Sequence, residues 1–173
     1  MASIAPAAQP ALAADRTLAV AAAVLLALVV AAIARGLGSG NSPPPLVWAH
    51  LLSISGALAL TPPLLWRSKG TPPHRSLGKL WAALMMAAAT TSLFFNMGST
   101  EPGSLGVFTL DFSPIHILSA FVLFGVPRTV QAARRHDVAR HRTGIRSLVI
   151  GALLVAGAFT FPFGRLMGLW LTG

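Results

Sequence analysis

The chain has 173 residues, of which 54% are hydrophobic and 10% are charged, and its mean hydropathy is +0.71. A soluble domain of this length needs a polar shell that this composition does not supply, so we predict an all-α integral membrane helical bundle. The chain has no cysteine, which excludes disulfides, thiolate metal sites, iron–sulfur clusters and covalently attached haem.

The net charge of +9 does not indicate nucleic-acid binding. The basic residues form short loops between apolar runs and lack the interleaved aromatic residues on which bases stack. We therefore expect cytoplasmic loops that obey the positive-inside rule, in a protein whose partner is the lipid bilayer and not nucleic acid.

The N-terminal region predicts a tail followed by a first membrane helix. Residues 1–16 are rich in Ala and Pro, and we expect them to be loosely ordered. The apolar run 18–34 lies between Arg16 and Arg35 and is about long enough to span a bilayer. It exceeds the apolar part of a signal peptide, so we predict an uncleaved helix.

A Gly/Ser/Pro linker, residues 36–45, cannot continue this helix. It divides the chain into two predicted parts. Residues 1–45 contain the tail, the first helix and the linker, and residues 46–173 contain a four-helix membrane core.

Four further apolar runs predict the other spans, giving five transmembrane helices in all. The fourth span is interrupted by Pro127 and is expected to extend past the bilayer edge. The loop between the third and fourth spans, residues 99–112, is the acidic connection. The predicted spans after the first are 46–66, 77–98, from 113–114 onwards, and 148–171.

A four-residue motif occurs twice in this core. The sequence His-Leu-Leu-Ser at 50–53 is echoed by His-Ile-Leu-Ser at 116–119, and each copy is followed by a His-Arg pair, at 74–75 and at 141–142. The period of 66 to 67 residues predicts that helices two to five are two duplicated hairpins.

The distribution of basic residues predicts the orientation. The N-terminal tail, region 67–79 and region 128–146 contain one, four and six Lys or Arg, whereas the opposite side holds only Arg35 and Arg165. We therefore predict a multi-pass protein of the bacterial cytoplasmic (inner) membrane, with its N-terminus in the cytoplasm.

Small residues predict which helix faces are in contact. Lipid tails are as apolar as Leu, so no hydrophobic effect drives helices together and close packing of small residues must do so. Stripes with four-residue spacing occur in the second, third and fifth spans. They are Ser53, Ala57 and Thr61; Ala83, Ala87 and Thr91; and Ala152 and Ala156.

Four histidines recur at two depths in this pattern. We call His50 and His116 the outer pair and His74 and His141 the inner pair. Two facing neutral imidazoles in an apolar bundle suit a b-type haem, whose iron takes axial ligands on both sides of its plane. We predict haem b as cofactor, with His50 and His116 as iron ligands first and the inner pair as a second site.

Neighbouring residues extend the predicted site. Ser53 and Ser119 lie one turn beyond the outer histidines and would orient their rings, and Arg75 and Arg142 would pair with haem propionates or lipid headgroups. Alternatively, each histidine only hydrogen-bonds water, headgroups or a neighbouring helix, or binds zinc or copper. His136 is most simply a solvated loop residue.

Several stretches resemble an uncharacterised family of small bacterial polytopic membrane proteins, a domain of unknown function. They are the segment around His50 and residues 69–81, 113–119 and 139–168. The histidine arrangement is also similar to that of transmembrane di-haem b-type cytochromes. That similarity implies ligation by His50 with His116 and by His74 with His141.

The predicted function is electron transfer, with a quinone or a periplasmic redox protein as partner. No Asp or Glu lies inside a predicted span and no hydrolase triad is available, so we expect no stand-alone enzyme. The alternative is a non-enzymatic accessory subunit of a larger respiratory or photosynthetic complex, without a cofactor of its own.

Overall fold

A computed structural model describes residues 8–38, 43–95, 114–162 and 164–172, and this part of the chain contains helices and no strand. Helix α5 continues through a π-helical segment and one further turn. The helices are α1 (Ala8–Leu37), α2 (Pro45–Trp66), α3 (Pro72–Ser92), α4 (Pro114–Arg134), α5 (Val138–Leu148, then Val149–Val155 and Ala156–Ala158) and α6 (Leu166–Thr172).

The long helices pack in chain order. Helix α2 contacts α1 and α3, α3 contacts α4, and α4 contacts α5, while α1 contacts both the π-helical segment of α5 and the short helix α6. The helices therefore form a ring that α1 closes. In this ring α2 lies diagonally to α4, and α3 lies diagonally to α5.

Helix α1 starts earlier than predicted. It begins at Ala8, so the expectation of a loosely ordered tail is wrong for residues 8–16. Alanine is the best helix former, and Asp15 is buried against the bundle, which anchors this first part. The buried face of α1 recurs every three or four residues and consists largely of Ala19, Ala22, Leu25, Val29 and Ala32.

Helices α1 and α5 run in parallel. Asp15 of α1 contacts Arg146 of α5, and ten residues later Leu25 packs against Gly157 of α5. A Cβ atom on Gly157 would lie only 2.6 Å from Leu25 Cδ2, so glycine permits this approach. Three helices, α2, α3 and α4, lie between α1 and α5 in the chain. If each of them crosses the membrane once, α1 and α5 must run in the same direction, as observed.

Two of the described helices are long and apolar enough to cross a membrane by length and composition, namely Leu12–Leu37 and Pro45–Trp66. Helices α3 and α4 have 21 residues each and carry charges or an internal proline. The complete five-span topology therefore stays a prediction.

The predicted continuous span 148–171 is wrong. The helix ends at Ala158, the chain turns, and α6 follows as a separate helix. Pro162 has no N–H to continue the hydrogen-bonding ladder, and Gly164 has a φ of 68°, which favours glycine. The start also lies earlier than 148, because the Asp137 side chain caps α5 by accepting from the Arg140 N–H at 3.0 Å.

Helix α6 packs against the end of α1. Gly36 lies under the Trp170 ring, and Arg35 Nε donates to the Trp170 carbonyl at 3.3 Å. The Trp48 and Trp170 rings are tilted, with centroids 6.1 Å apart. Indole rings are favoured at membrane–water boundaries, so this group suits one face of a bilayer.

Small residues mediate the α2 side of the α2–α3 contact, but not the α3 side. Ala57 and Thr61 are buried, as predicted, whereas Ala83 and Ala87 are exposed, so the predicted α3 stripe is wrong. Helix α3 instead buries the larger side chains Trp81 and Met85 along with Ala88 and Ala89. The predicted acidic connection, 99–112, lies outside the described residues.

Candidate functional site

His74 of the inner pair lies in the first turn of α3. Helix α3 starts at Pro72 rather than near residue 77, and Thr71 caps it by accepting from the His74 N–H at 3.4 Å. The ring is half-buried, and its buried Nδ1 has no hydrogen-bond partner among the described residues. Burial is the main cause that lowers the pKa of His74, followed by the nearby charges of Lys69 and His141.

His141 faces the inner end of the bundle from α5. Its Nδ1 lies 3.0 Å from the Thr129 carbonyl oxygen of α4. A carbonyl only accepts, so the His141 Nδ1–H donates this hydrogen bond. His74 and His141 come from diagonal helices, yet they are close enough for one to lower the pKa of the other. The two histidines of the inner pair therefore lie at the same end of the bundle, within range of an electrostatic interaction.

Basic side chains lie at the same end of the bundle as the inner pair, and Lys69 is near His74. Lys69 donates to the Leu64 carbonyl at 3.2 Å and to the Leu65 carbonyl, and so caps the C-terminus of α2. Burial lowers the pKa of Lys69. Asp15 opposes this shift, and the charges of Arg142 and Arg146 add to it. The inner end therefore combines two imidazoles, three basic side chains and one buried carboxylate.

His50 of the outer pair is anchored on α3. Its Nδ1 lies 3.0 Å from the Ala88 carbonyl oxygen and 3.2 Å from Thr91 Oγ1. The ring meets Phe95 edge-on at a centroid distance of 5.1 Å. Because Nδ1 donates to the carbonyl, Nε2 of the neutral ring carries the lone pair.

His116 is buried, and it contacts α3 from the opposite neighbour, α4. Its Nε2 lies 3.3 Å from the Leu93 carbonyl oxygen, and because a carbonyl only accepts, the His116 Nε2–H donates this hydrogen bond. Both outer histidines thus bond to the C-terminal part of α3, which lies between α2 and α4. His116 would have to release the Leu93 carbonyl before its Nε2 could bind a metal.

Ser53 and Ser119, which were predicted to orient the outer histidine rings, make other hydrogen bonds. Ser53 Oγ donates to the Ala49 carbonyl of its own helix at 2.8 Å, and Thr91 rather than Ser53 contacts His50. Ser119 Oγ lies 2.6 Å from Ser92 Oγ in a buried contact between α4 and α3.

The two predicted arginines differ in environment. Arg75 is exposed, and Arg142 is half-buried and close enough to Lys69 to lower its pKa. Only Arg142 therefore belongs to the group around the inner pair on these observations.

The side chains that could act as metal ligands favour the inner pair as the haem site. In the part of the chain that the structure describes, no three His, Asp or Glu residues are grouped to hold a metal ion. Two-histidine ligation, as in a bis-imidazole haem site, is the remaining option for these residues. His141 fits because its Nδ1–H is anchored, and His74 fits because its buried Nδ1 is unsatisfied.

Sequence reasoning missed Asp15 and Lys69. Asp15 was assigned to the tail and Lys69 to a polar turn, yet both belong to the inner site. A signal existed for Asp15, because it stands at the same three- or four-residue spacing as the buried residues of α1.

Comparisons with known proteins give one family. A family described as "Predicted membrane protein (DUF2306)" matches residues 46–164. No curated protein and no solved structure matches the chain significantly.

Proposed function

We propose, since the chain belongs to the DUF2306 family of predicted membrane proteins, that it is a b-type haem protein of the bacterial cytoplasmic membrane that transfers electrons. A quinone or a periplasmic redox protein is the proposed partner. When bound, the haem would supply the one-electron chemistry. The protein would supply the ligands, the charges around them and the apolar walls.

The observations that carry this proposal are the unsatisfied buried Nδ1 of His74 and the electrostatic proximity of His141 from a diagonal helix. Helices α3 and α5 come from different hairpins, so a shared ligand would join the two hairpins at this end. Burial together with neighbouring cations lowers the pKa of His74 and keeps its ring neutral near neutral pH. A neutral imidazole is the form that binds a metal.

The basic residues support the same ligand class. Lys69 and Arg142 are placed beside the inner pair, where each is available to a carboxylate. A haem carries two propionates, and cationic side chains pair well with such groups. This role was predicted for Arg75 and Arg142; Lys69 joins Arg142 in the proposed site.

The outer pair would form a second site. His50 already has the arrangement of a ligating histidine, with Nδ1–H on the Ala88 carbonyl. His116 would need to turn its ring away from Leu93. We therefore rank the inner pair first, which reverses the order expected from the sequence.

The proposed topology has five spans with the N-terminus in the cytoplasm. Helices α1 and α5 are parallel and share their N-terminal end with Lys69, His74 and Arg142. This end carries most of the basic residues, which the positive-inside rule places in the cytoplasm.

The test is a reduced-minus-oxidised absorbance spectrum of protein purified from haem-replete cells, with haem quantified per chain. The wild-type protein should show a b-type spectrum, and His74→Ala or His141→Ala should lose haem. His136→Asn is the matched control, because His136 is exposed and has a φ of 59°, which Asn tolerates. A colourless wild-type preparation, or unchanged haem in both inner variants, would contradict the proposal.

A second candidate function is a cofactor-free accessory subunit of a larger membrane complex. It is favoured by the hydrogen bonds of His50, His116 and His141 to carbonyls of neighbouring helices, since these bonds give the histidines a structural role that needs no cofactor. Helix α1 packs into the bundle through its small residues, so any docking would use the outward apolar face of α1.

Extraction in a mild detergent followed by size analysis separates the two candidates. A cofactor-free chain that migrates with a large complex would favour the accessory subunit. A haem-containing particle no larger than a small homo-oligomer would favour the electron-transfer protein.

A further inference from the structure

A cavity of about 440 Å³ opens between α4 and α5. It lies at the inner end of these helices, on the surface of the bundle. Its walls combine the two arginines Arg128 and Arg140 with the threonines Thr129 and Thr143 and with Gly125 and Gly144. The two glycines let α4 and α5 approach closely beside the cavity, since a Cβ on Gly125 would lie 3.1 Å from Leu148 Cδ2 and one on Gly144 would lie 2.3 Å from Thr129 Oγ1.

Most of the cavity wall is apolar, and the few polar groups along it suit an anion. Two guanidinium groups supply several N–H donors, and the Thr143 hydroxyl adds a neutral one. The Arg128 guanidinium carbon lies 5.9 Å from the centre of the Phe124 ring, which restrains its direction. Guanidinium groups bind phosphate through paired hydrogen bonds, so a phosphate group is the fitting ligand.

An apolar stripe leads along α4 to the cavity. Ile117, Phe121 and Phe124 are all exposed, with spacings of four and three residues, and Arg128 follows four residues later. At about 1.5 Å per residue the stripe from Ile117 to Arg128 is about 16 Å long. This length equals roughly half of a hydrocarbon core of about 30 Å, which is one leaflet.

We infer that the cavity between α4 and α5 binds the phosphate headgroup of an anionic phospholipid, whose acyl chain lies along the Ile117–Phe124 stripe. A free phosphate ion would use the same arginines but not the apolar stripe. The stripe therefore favours a lipid of the cytoplasmic leaflet. The inference is independent of whether haem is bound.

The test is native mass spectrometry of delipidated protein in detergent, titrated with phosphatidylglycerol and, separately, with phosphatidylcholine. We expect one phosphatidylglycerol to be retained, with a weaker response to phosphatidylcholine. The double variant Arg128→Gln/Arg140→Gln should weaken phosphatidylglycerol binding by about tenfold or more, because each lost charged hydrogen bond contributes on the order of 1.5 kcal/mol.

The control is Arg134→Gln/Arg135→Gln, which removes the same charge from exposed residues at the end of α4 and outside the cavity. Equal weakening in the two double variants would overturn the inference in favour of a diffuse basic surface. Equal binding of both lipids would also overturn it. Displacement of phosphatidylglycerol by millimolar inorganic phosphate would identify a free-anion site instead. If the double variant does not fold, Arg140→Gln alone is compared with Arg135→Gln.

Discussion

The carboxylate of Asp15 in α1 lies 2.8 Å from the guanidinium of Arg146 in α5. The Asp15 side chain is 5% exposed and the Arg146 side chain is 27% exposed, so the pair is largely shielded from water. Arg146 Nε also donates to the same carboxylate oxygen at 2.9 Å. This contact joins the first helix to the fifth and fixes their parallel arrangement at the inner end.

Removal of the Asp15 charge should destabilise the bundle. In Asp15→Asn the partly buried Arg146 loses its counter-ion, and breaking a buried pair from one side costs about 3 kcal/mol. Thermal unfolding in one detergent measures the effect. Asp137→Asn is the control, since Asp137 is exposed and Asn also serves as a helix cap. An equal loss of thermal stability in the two variants would show that the Asp15–Arg146 ion pair does not stabilise the bundle more than an exposed aspartate does.

A buried hydrogen bond between α2 and α3 provides a second test. Trp81 Nε1 donates to Thr61 Oγ1 at 3.0 Å, and Thr61 Oγ1 donates to the Ala57 carbonyl at 2.8 Å. Trp81→Phe and Thr61→Val should each reduce the free energy of unfolding by roughly 1 kcal/mol or more. The double variant should cost less than the sum, because both changes remove one bond. Full additivity would contradict this coupling.

The sequence predicted the all-α membrane class, and its apolar runs and 66–67-residue repeat predicted the helix pairs α2–α3 and α4–α5. The depth of the histidines stays a prediction. The sequence prediction failed for the buried face of α3, where Trp81 and Met85 set the packing and the predicted Ala83 and Ala87 are exposed. It also failed for α5 and α6, because a single apolar run from 148 to 171 hid the turn that Pro162 and Gly164 produce.

The site was predicted only in part. The four histidines were found, but their hydrogen-bond partners Ala88, Leu93 and Thr129 are backbone carbonyls, which leave no mark in the side-chain sequence. Lys69 lies in a loop, and only the packing of the helices brings its charge near enough to His74 to lower the pKa of that histidine.

Two glycine substitutions should have opposite effects. In Gly36→Ala a Cβ would lie 2.1 Å from Trp170 Cδ2, so the ring must move, and overpacking of this kind costs about 1–3 kcal/mol. In Gly78→Ala the new Cβ meets nothing within 4 Å, and alanine should stabilise α3 by about 0.5–1 kcal/mol. Thermal unfolding with tryptophan fluorescence measures both. Stabilisation by both substitutions would show that α6 does not hold Trp170 against Gly36.

The stability of the inner end should fall as the pH is lowered. Burial, Lys69 and His141 lower the pKa of His74 below its ordinary value of 6.5 in the folded chain. The unfolded chain therefore binds a proton as the pH falls through about 6.5, while the folded chain does not. The contribution of His74 to the free energy of unfolding is complete above about pH 6.5 and decreases as the pH falls below that value. It reaches a constant lower level below the pKa that His74 has in the folded chain.

The measurement is the thermal unfolding midpoint of the full chain in one detergent between about pH 8 and pH 5, the range that brackets the ordinary histidine pKa. His74→Gln should flatten the pH dependence, because glutamine does not titrate. His136→Asn should leave it unchanged, since His136 is an exposed loop residue. Lys69→Gln should narrow the pH range over which stability decreases. Loss of the nearby positive charge raises the folded pKa of His74 towards its unfolded value. A pH dependence that is identical in the wild type and in His74→Gln would assign the titration to another group.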